Sequence, residues 1–210
     1  MRRLDTPELL DEHDAPAEDV ERSLRDLQRF NRYYGGGRVY RKMVHRLIGR
    51  GARRAPVVID LGAGTADLLD SLGGRGIAVD WNIRHLTYRP MRAMRVVADA
   101  RHLPFRDNAA DAVTSSHFFH HFTAEENEQI LEESLRVART GVAFTDTRRH
   151  IVPLLVTLLL RWLHLVGRIT AFDAPASVRR GYTTAEVRKI APGAIVENYF
   201  PFRWALLLWK

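Results

Sequence analysis

The sequence predicts an α/β fold built on a doubly wound, largely parallel sheet, and three observations support this prediction. An apolar run at 57–59 ends in Asp60 and is followed by Gly62 and Gly64, which is typical of a buried strand leading into a tight turn. Four further short apolar segments follow, at 76–80, 94–100, 111–116 and 142–146. Segments with helical periodicity separate the strands, most clearly at 125–139. Strands that alternate with helices pair in parallel through right-handed crossovers.

Composition and charge narrow the class of protein. At 210 residues, with 46% hydrophobic and 27% charged residues, the chain is long enough for one domain with a sizeable core. It has no cysteine, which excludes disulfides and thiolate metal sites. The net charge of +7 comes from arginines spread along the chain, so we expect no nucleic-acid partner. The first residues lack the apolar core of a secretory signal, and we expect a cytoplasmic protein.

Two amphipathic helices are predicted ahead of the sheet. Residues 1–18 are acidic and contain two prolines, and we expect this start to be loosely ordered. Apolar side chains then recur every three or four residues from Asp19 to Tyr34, where a run of three glycines ends the first helix. A second helix is predicted over 38–48. We therefore expect residues 1–54 to form a helical cap in front of the main domain.

The turn after the first strand is a candidate ligand site. About twenty residues further on, a second strand ends in Asp80, and a carboxylate at this point can accept hydrogen bonds from both hydroxyls of a ribose. Taken alone, Gly62 and Gly64 are equally compatible with a tight structural turn. Asp67 stands where a dinucleotide-binding turn requires a small residue, which argues against a nicotinamide-dependent enzyme.

Four linked motifs carry a resemblance to a known family: DLGAGTAD at 60–67, AVDW at 78–81, ADARHLPF at 98–105 and DAVTSSHFFHHF at 111–122. In their order and spacing the chain resembles the class I S-adenosylmethionine-dependent methyltransferases, firmly over residues 55–150. The resemblance implies a Rossmann-like sheet of seven strands within residues 55–210, and S-adenosylmethionine as the methyl donor. Within the family the likeness is closest to members that act on quinone-like or polyketide phenols, which implies O-methylation of a hydrophobic or aromatic small molecule.

The resemblance also implies a donor site at the ends of the first four strands. The residues implied are Asp60, Gly62, Gly64, Asp80, Trp81, Asp99, Ala100 and Ser116. Of these, Asp80 would bind the ribose and Asp99 the adenine amine. Trp81 would either stack on the adenine or simply pack in the core or on the surface. Asp60 would set the loop or reach the amino group of the donor through water.

His117 and His121 follow the fourth strand, where the order of the strands reverses, and are the candidate catalytic residues. At a spacing of four they would share a helix face, but no HExxH pattern or third ligand accompanies them, so we expect no metal site. A histidine can instead remove the proton of an acceptor hydroxyl. His117 lies nearer to the strand end and is the first candidate. The alternative is that these histidines shape the pocket or pack.

The segment 151–166, IVPLLVTLLLRWLHLV, is the most apolar part of the chain. It is too short and too interrupted for a membrane span. We expect a helix inserted after the fifth strand, which roofs the acceptor site and is covered by the domain or by a partner chain. A homodimer interface and shallow membrane contact are the alternatives.

The rest of the insertion extends to residue 182. We expect a loop over 173–184 that leads into a helix capped by Thr183 or Thr184. Two strands, 194–200 and 203–209, then form an antiparallel hairpin that closes the sheet. The candidate acceptor contacts are Tyr34, His150, Arg180 and Tyr182.

Two other functions are compatible with the same donor site. An RNA or protein methyltransferase would use the arginines to bind an acidic partner. A non-catalytic module would bind S-adenosylmethionine without transferring its methyl group. A short-chain dehydrogenase is excluded by the absence of a Tyr-x-x-x-Lys pair.

Overall fold

A computed structural model of the chain describes residues 1–4, 6–11, 15–49, 55–73 and 75–210. Its centre is one seven-stranded sheet with the order β3-β2-β1-β4-β5-β7-β6, in which only β7 runs antiparallel to its neighbours. The strands are β1 (Val57–Leu61), β2 (Arg75–Asp80), β3 (Met94–Val97), β4 (Ala110–Ser116), β5 (Ala138–Thr147), β6 (Ile195–Tyr199) and β7 (Arg203–Trp209). The predicted fold class, with its closing hairpin, is confirmed.

The two central strands explain where a ligand can bind. β1 and β4 are buried along most of their length, and Ile59, Leu61 and Val113 are fully buried between the helical layers. The chain passes from β1 outward to β2 and β3, and then returns to β4 on the other side. The loops that leave β1 and β4 therefore diverge, and a crevice opens at their carboxyl ends.

Eight helices surround the sheet in the described part of the chain. They are α1 (Ala17–Tyr33), α2 (Gly36–Ile48), α3 (Asp67–Asp70), α4 (Ile83–Thr87), α5 (Ala124–Val137), α6 (Ile151–Trp162), α7 (Arg168–Arg180) and α8 (Thr184–Ile190). On one face Met43 and Leu47 of α2 pack against the small residues Ala112 and Ala143 of the sheet. On the other face α5 and α8 cover the largest core cluster. α2 is thus a layer of the sheet domain, and the boundary predicted at residue 54 falls outside the described residues.

The prediction of a loop over 173–184 is wrong, because α7 continues to Arg180 and contains Pro175. Proline costs the helix one hydrogen bond, but the packing of the helix offsets this loss. Ile169 packs with α1, and Ala176 and Val178 are also buried. The predicted cap of the next helix is present, since Thr183 and Glu186 form a reciprocal capping box at the start of α8.

The amino-terminal segment is also better anchored than its composition predicts. The carboxylate of Asp173 accepts hydrogen bonds from the backbone N–H groups of Leu9 and Leu10 at 2.8 and 3.0 Å. The guanidinium of Arg3 donates to the carbonyls of His120, Phe122 and Arg180. These contacts hold the described part of residues 1–11 across α7 and the end of the β4 loop.

Helix α6 is less covered than expected. Only Leu154 is buried, whereas Leu155 and Trp162 are 57% and 73% exposed. The expected burial against the domain on both sides is therefore absent from this single chain, because α6 packs mainly on α7. Among the described residues, no helix is long and apolar enough to cross a membrane.

Candidate active site

A cavity of about 430 Å³ lies at the carboxyl ends of β1, β2 and β4. Six of the predicted donor residues line it: Gly62, Gly64, Asp80, Trp81, Asp99 and Ala100. The cavity therefore opens where the crevice between β1 and β4 predicts a ligand site.

The turn after β1 holds Asp80 at the edge of this cavity. Gly62 and Gly64 have φ angles of +59° and +52°, which side chains rarely adopt, and a Cβ atom at Gly62 would collide with the ring of Phe118. The N–H of Gly64 donates to Asp80 Oδ2 at 3.0 Å, and the N–H of Asn82 donates to Oδ1 at 2.9 Å. Two of about four acceptor positions on the carboxylate are thus used, which leaves acceptor capacity for a ligand.

Asp99 and Trp81 lie at the open end of the cavity. The carboxylate of Asp99 pairs with the guanidinium of Arg101 at 2.8 Å, and this hydrogen bonding lowers the pKa of Asp99. Arg101 also pairs with Glu126 at 2.8 Å. The indole of Trp81 is 56% exposed, so it forms part of the cavity wall and does not pack in the core.

Two predicted donor residues do not line the cavity. Asp60 is buried beneath the turn, where its Oδ1 accepts a hydrogen bond from Thr114 Oγ1 at 2.7 Å. Burial raises the pKa of Asp60 to about 7. Ser116 Oγ accepts a hydrogen bond from Arg203 Nη2 at 3.2 Å, on the far side of the β4 loop.

A second cavity, of about 260 Å³, lies between α1, α6, α7 and the start of β7. Its apolar wall comes mainly from Val152, Pro153, Val156 and Leu160 of α6. Both cavities share five lining residues: Glu8, Leu10, Leu27, His117 and Ser177. The two spaces therefore meet at the loop that follows β4.

Of the four predicted acceptor contacts, only Tyr34 lines the second cavity. His150 caps α6, since its Nδ1 accepts from the N–H of Val152, and its ring stacks on Phe202. Arg180 donates to the carbonyl of His121 at 2.7 Å, and the hydroxyl of Tyr182 donates to the carbonyl of Phe122 at 2.8 Å. The structure therefore gives the last two side chains contacts that support the β4 loop.

His117 lies where the cavities meet, but its ring is already engaged. Arg203 Nη1 lies 2.6 Å from its Nε2, and because a guanidinium can only donate, Nε2 accepts. Nδ1 then carries the proton, 3.4 Å from Thr147 Oγ1. Burial and the charge of Arg203 lower the pKa of His117 to about 3. The lone pair that a general base needs is thus used by Arg203.

Beside it lies a buried charge network that the sequence did not reveal. His120 bridges Asp146 at 2.8 Å and Glu8 at 3.1 Å. Burial disfavours the charged form of His120, but these two carboxylates outweigh it and raise the pKa of His120 to about 10. Burial likewise disfavours the charged form of Glu8, but the charges of His120 and His121 outweigh it and lower the pKa of Glu8 to about 2. The sequence did not identify Glu8 as a site residue, because Glu8 lies 112 residues from His120 in a segment that was predicted to be loosely ordered.

His121 lines the donor cavity at the edge of this network. Its Nδ1 lies 2.9 Å from Asp11 Oδ2, and its Nε2 lies 3.9 Å from Glu8 Oε2. Ligand atoms of Glu8, His120 and His121 lie within 4.8 Å of one another, a spacing that could hold a metal ion. The pair considered from the sequence, His117 with His121, is not the pair that the structure brings together here. In the described structure, Glu8 and His120 already form a hydrogen bond with each other.

Solved structures resemble this chain over most of its length. A SAM-dependent methyltransferase from Aquifex aeolicus is 17% identical, with a TM-score of 0.61 over 89% of this chain and 97% of that one. The plantazolicin methyltransferase BpumL, in complex with SAH, is 12% identical, with a TM-score of 0.62 over 91% and 96%. The magnesium protoporphyrin IX methyltransferase (ChlM) from Synechocystis PCC 6803, with bound SAH, is 15% identical, with a TM-score of 0.59 over 93% and 100%. At these identities the similarity demonstrates the fold.

Sequence comparisons address the family. No curated protein sequence gives a significant match. Residues 59–145, which contain part of β1, all of β2, β3 and β4, and most of β5, match a family model described as a methyltransferase domain. The strand order of the sheet and the cavity beside Gly62 and Asp80 agree with this match.

Proposed function

We propose that this enzyme transfers the methyl group of S-adenosylmethionine to an oxygen atom of a hydrophobic or aromatic small molecule, of phenol or quinone-like type. The observation that carries the proposal is the meeting of two cavities at His117, one beside the glycine turn and one walled by α6. An in-line transfer requires donor and acceptor to approach from opposite sides of one point. Adjoining cavities supply that arrangement.

On the donor side, the residues at the strand ends have the chemistry to hold an adenosyl group. The carboxylate of Asp80 would accept from the ribose hydroxyls, and Trp81 would stack on the adenine. The open backbone at Gly64, where a Cβ atom would meet nothing within 4 Å, would admit the methionine part. When bound, the donor supplies a sulfonium methyl that is already electrophilic.

On the acceptor side, α6 provides an apolar wall. An apolar cavity of about 150 Å³ can hold benzene, so the second cavity has room for a substituted aromatic ring. Two of the similar structures are methyltransferases named for plantazolicin and for magnesium protoporphyrin IX. These names support a small-molecule acceptor over an RNA or protein one.

The role of His117 in this proposal is to position the acceptor. Its Nε2 lone pair is engaged by Arg203, and its neutral ring lies between both cavities. Proton removal from the acceptor would then fall to His121, which Asp11 orients, or to solvent.

The donor site is tested by calorimetric titration with S-adenosylhomocysteine. We expect micromolar binding to the natural chain and binding at least about tenfold weaker to Asp80→Asn, because the ribose loses a charged acceptor. Asp107→Asn is the matched control, since Asp107 is exposed, lines neither cavity and, in the residues that the structure describes, forms its ion pair with Arg136. Equal affinity in all three proteins would remove Asp80 from the donor site.

The acceptor class is tested by a methyl-transfer assay over a panel of phenols and hydroquinones, with RNA and protein extracts alongside. Transfer to a phenol oxygen is the expected result. Transfer to RNA alone, with a steep dependence on salt, would contradict the proposal. Donor binding without transfer to any phenol would also contradict it.

A further inference from the structure

Arg203 stands out among the residues of the second cavity. It lines this apolar space at the start of β7 and is only 4% exposed. Its Nη1 donates to the neutral ring of His117 and its Nη2 to the hydroxyl of Ser116, while its buried Nε has no hydrogen-bond partner among the described residues. No carboxylate in the described part of the chain lies within ion-pair distance of its guanidinium, that is, within 4.0 Å.

The buried guanidinium of Arg203 lacks the paired carboxylate that buried cations ordinarily have. A charge removed from water must be paired with an opposite charge, and hydrogen bonds to a neutral imidazole and a hydroxyl do not offset it. The side chain of Arg149, for comparison, is 7% exposed and pairs with Glu186 at 2.6 Å. Asp146 is the carboxylate whose charge acts on Arg203, but its Oδ2 is engaged by His120 and its Oδ1 by the N–H of Thr147. Burial lowers the pKa of Arg203 only to about 10, so it keeps its charge at neutral pH.

We propose that Arg203 binds a negatively charged oxygen of the acceptor, so that the molecule methylated by this enzyme is an anion with an apolar or aromatic body. The inference rests on the proposed function, because it takes the second cavity as the acceptor site. Nη1 and Nη2 make one hydrogen bond each among the described residues, so the guanidinium would supply a second N–H of these nitrogens together with its charge, and the α6 wall would contact the apolar body. The charged oxygen can be a carboxylate or an ionised phenol, since both present the same chemistry to Arg203.

The test measures the preference for an anion over its neutral counterpart, with the enzyme saturated with S-adenosylhomocysteine. One calorimetric pair is 2-naphthoate against 2-naphthamide, and the other is 4-nitrophenolate against 4-nitroanisole. In the natural chain we expect the anion of at least one pair to bind about tenfold or more tightly than its neutral counterpart. The pair that shows the preference distinguishes a carboxylate from a phenolate.

Three variants assign the preference to a residue. Arg203→Met should abolish it and Arg203→Lys should retain part of it, because lysine keeps the charge without the fork of donors. Arg95→Met is the matched control and should leave it unchanged. Arg95 is exposed on β3, lines neither cavity, and within the described part of the chain donates to the carbonyls of Leu86 and Arg89. An equal preference in Arg203→Met and the natural chain would overturn the proposal, as would equal binding of anions and neutral compounds to the natural chain.

Thermal unfolding without ligand decides the matter if none of the four probes binds. A cation kept for a ligand destabilises the free enzyme, so Arg203→Met should unfold at a higher temperature than the natural chain. A lower unfolding temperature would make Arg203 a structural residue and overturn the proposal.

Donor affinity, measured separately, tests the proposed function. A protein that binds the anions but not S-adenosylhomocysteine would contradict that function and leave the Arg203 site standing.

Discussion

At the scale of single residues, the choice of a general base depends on which ring nitrogen of His117 or His121 is available to accept a proton. His117 is well placed between the cavities, yet Arg203 occupies its Nε2 and the low pKa keeps its ring neutral. His121 has the opposite character, because Asp11 orients its Nδ1 while the nearest partner of its Nε2 is 3.9 Å away. Position along the chain favoured His117 as the base, whereas hydrogen bonding favours His121.

This difference predicts the kinetics of His117→Gln on an active acceptor. The glutamine oxygen can still accept from Arg203, so we expect turnover to fall by less than about tenfold and the pH–rate profile to keep its shape. A general base contributes about 10²–10⁴-fold, and its loss would remove the ascending limb of the profile. Turnover is to be measured between about pH 5 and 9, with His121→Gln alongside. A loss of about 10²-fold or more in His117→Gln would restore His117 as the base.

At the scale of elements, the apolar helix α6 has two different sides. Val152, Val156 and Leu160 line the second cavity, whereas Leu155 and Leu159 do not line it and are 57% and 51% exposed. The apolarity of the segment predicted a roof over the acceptor site, and this roof stays a prediction. The sequence could not assign the sides, because a helix that is apolar all round has no periodicity to read.

The two sides of α6 predict opposite effects of the same enlargement. Val156→Phe adds volume inside the second cavity and should raise the KM for the acceptor about tenfold or more, with little change in donor affinity. Leu159→Phe adds volume on the exposed side and should change neither. Steady-state kinetics and donor calorimetry on both variants measure the contrast. An equal effect of both enlargements on KM would show that the cavity beside α6 is not the acceptor site.

At the scale of the whole molecule, the sheet was predictable and the active site only in part. The strands themselves and the turn after β1 follow from local patterns, since each strand and its turn lie within a few residues of one another. The walls of the second cavity and the charge network beside it instead join residues remote in sequence: Arg203 lies 86 residues from His117, and Glu8 lies 112 residues from His120. A single sequence contains no pattern that predicts such long-range contacts.

Buried titratable groups make the free energy of unfolding of the whole chain depend on pH. Burial raises the pKa of Asp60 from 3.8 to about 7, so the folded chain holds this proton more tightly than the unfolded chain. Through this group the free energy of unfolding therefore falls as the pH rises from about 4 to 7, by at most about 4 kcal/mol, and is level above. Asp173 acts in the same sense over the same range, since burial raises its pKa to about 7 as well.

Asp60→Asn isolates the contribution of one carboxyl group. The amide stays neutral and can still accept from Thr114, so the fall in unfolding free energy between about pH 5 and about pH 8 should be smaller than in the natural chain. Three other groups contribute to the change that remains. Asp173 and His120 lower the free energy of unfolding as the pH rises, the latter from about pH 6.5 towards 10, whereas His117, with a pKa lowered to about 3, raises it up to about pH 6.5. Urea unfolding at both pH values measures the difference, with Asp107→Asn as the exposed control. The same change in all three proteins would mean that Asp60 is charged in the fold, and the buried carboxylate would then need a cationic partner, which none of the described residues provides.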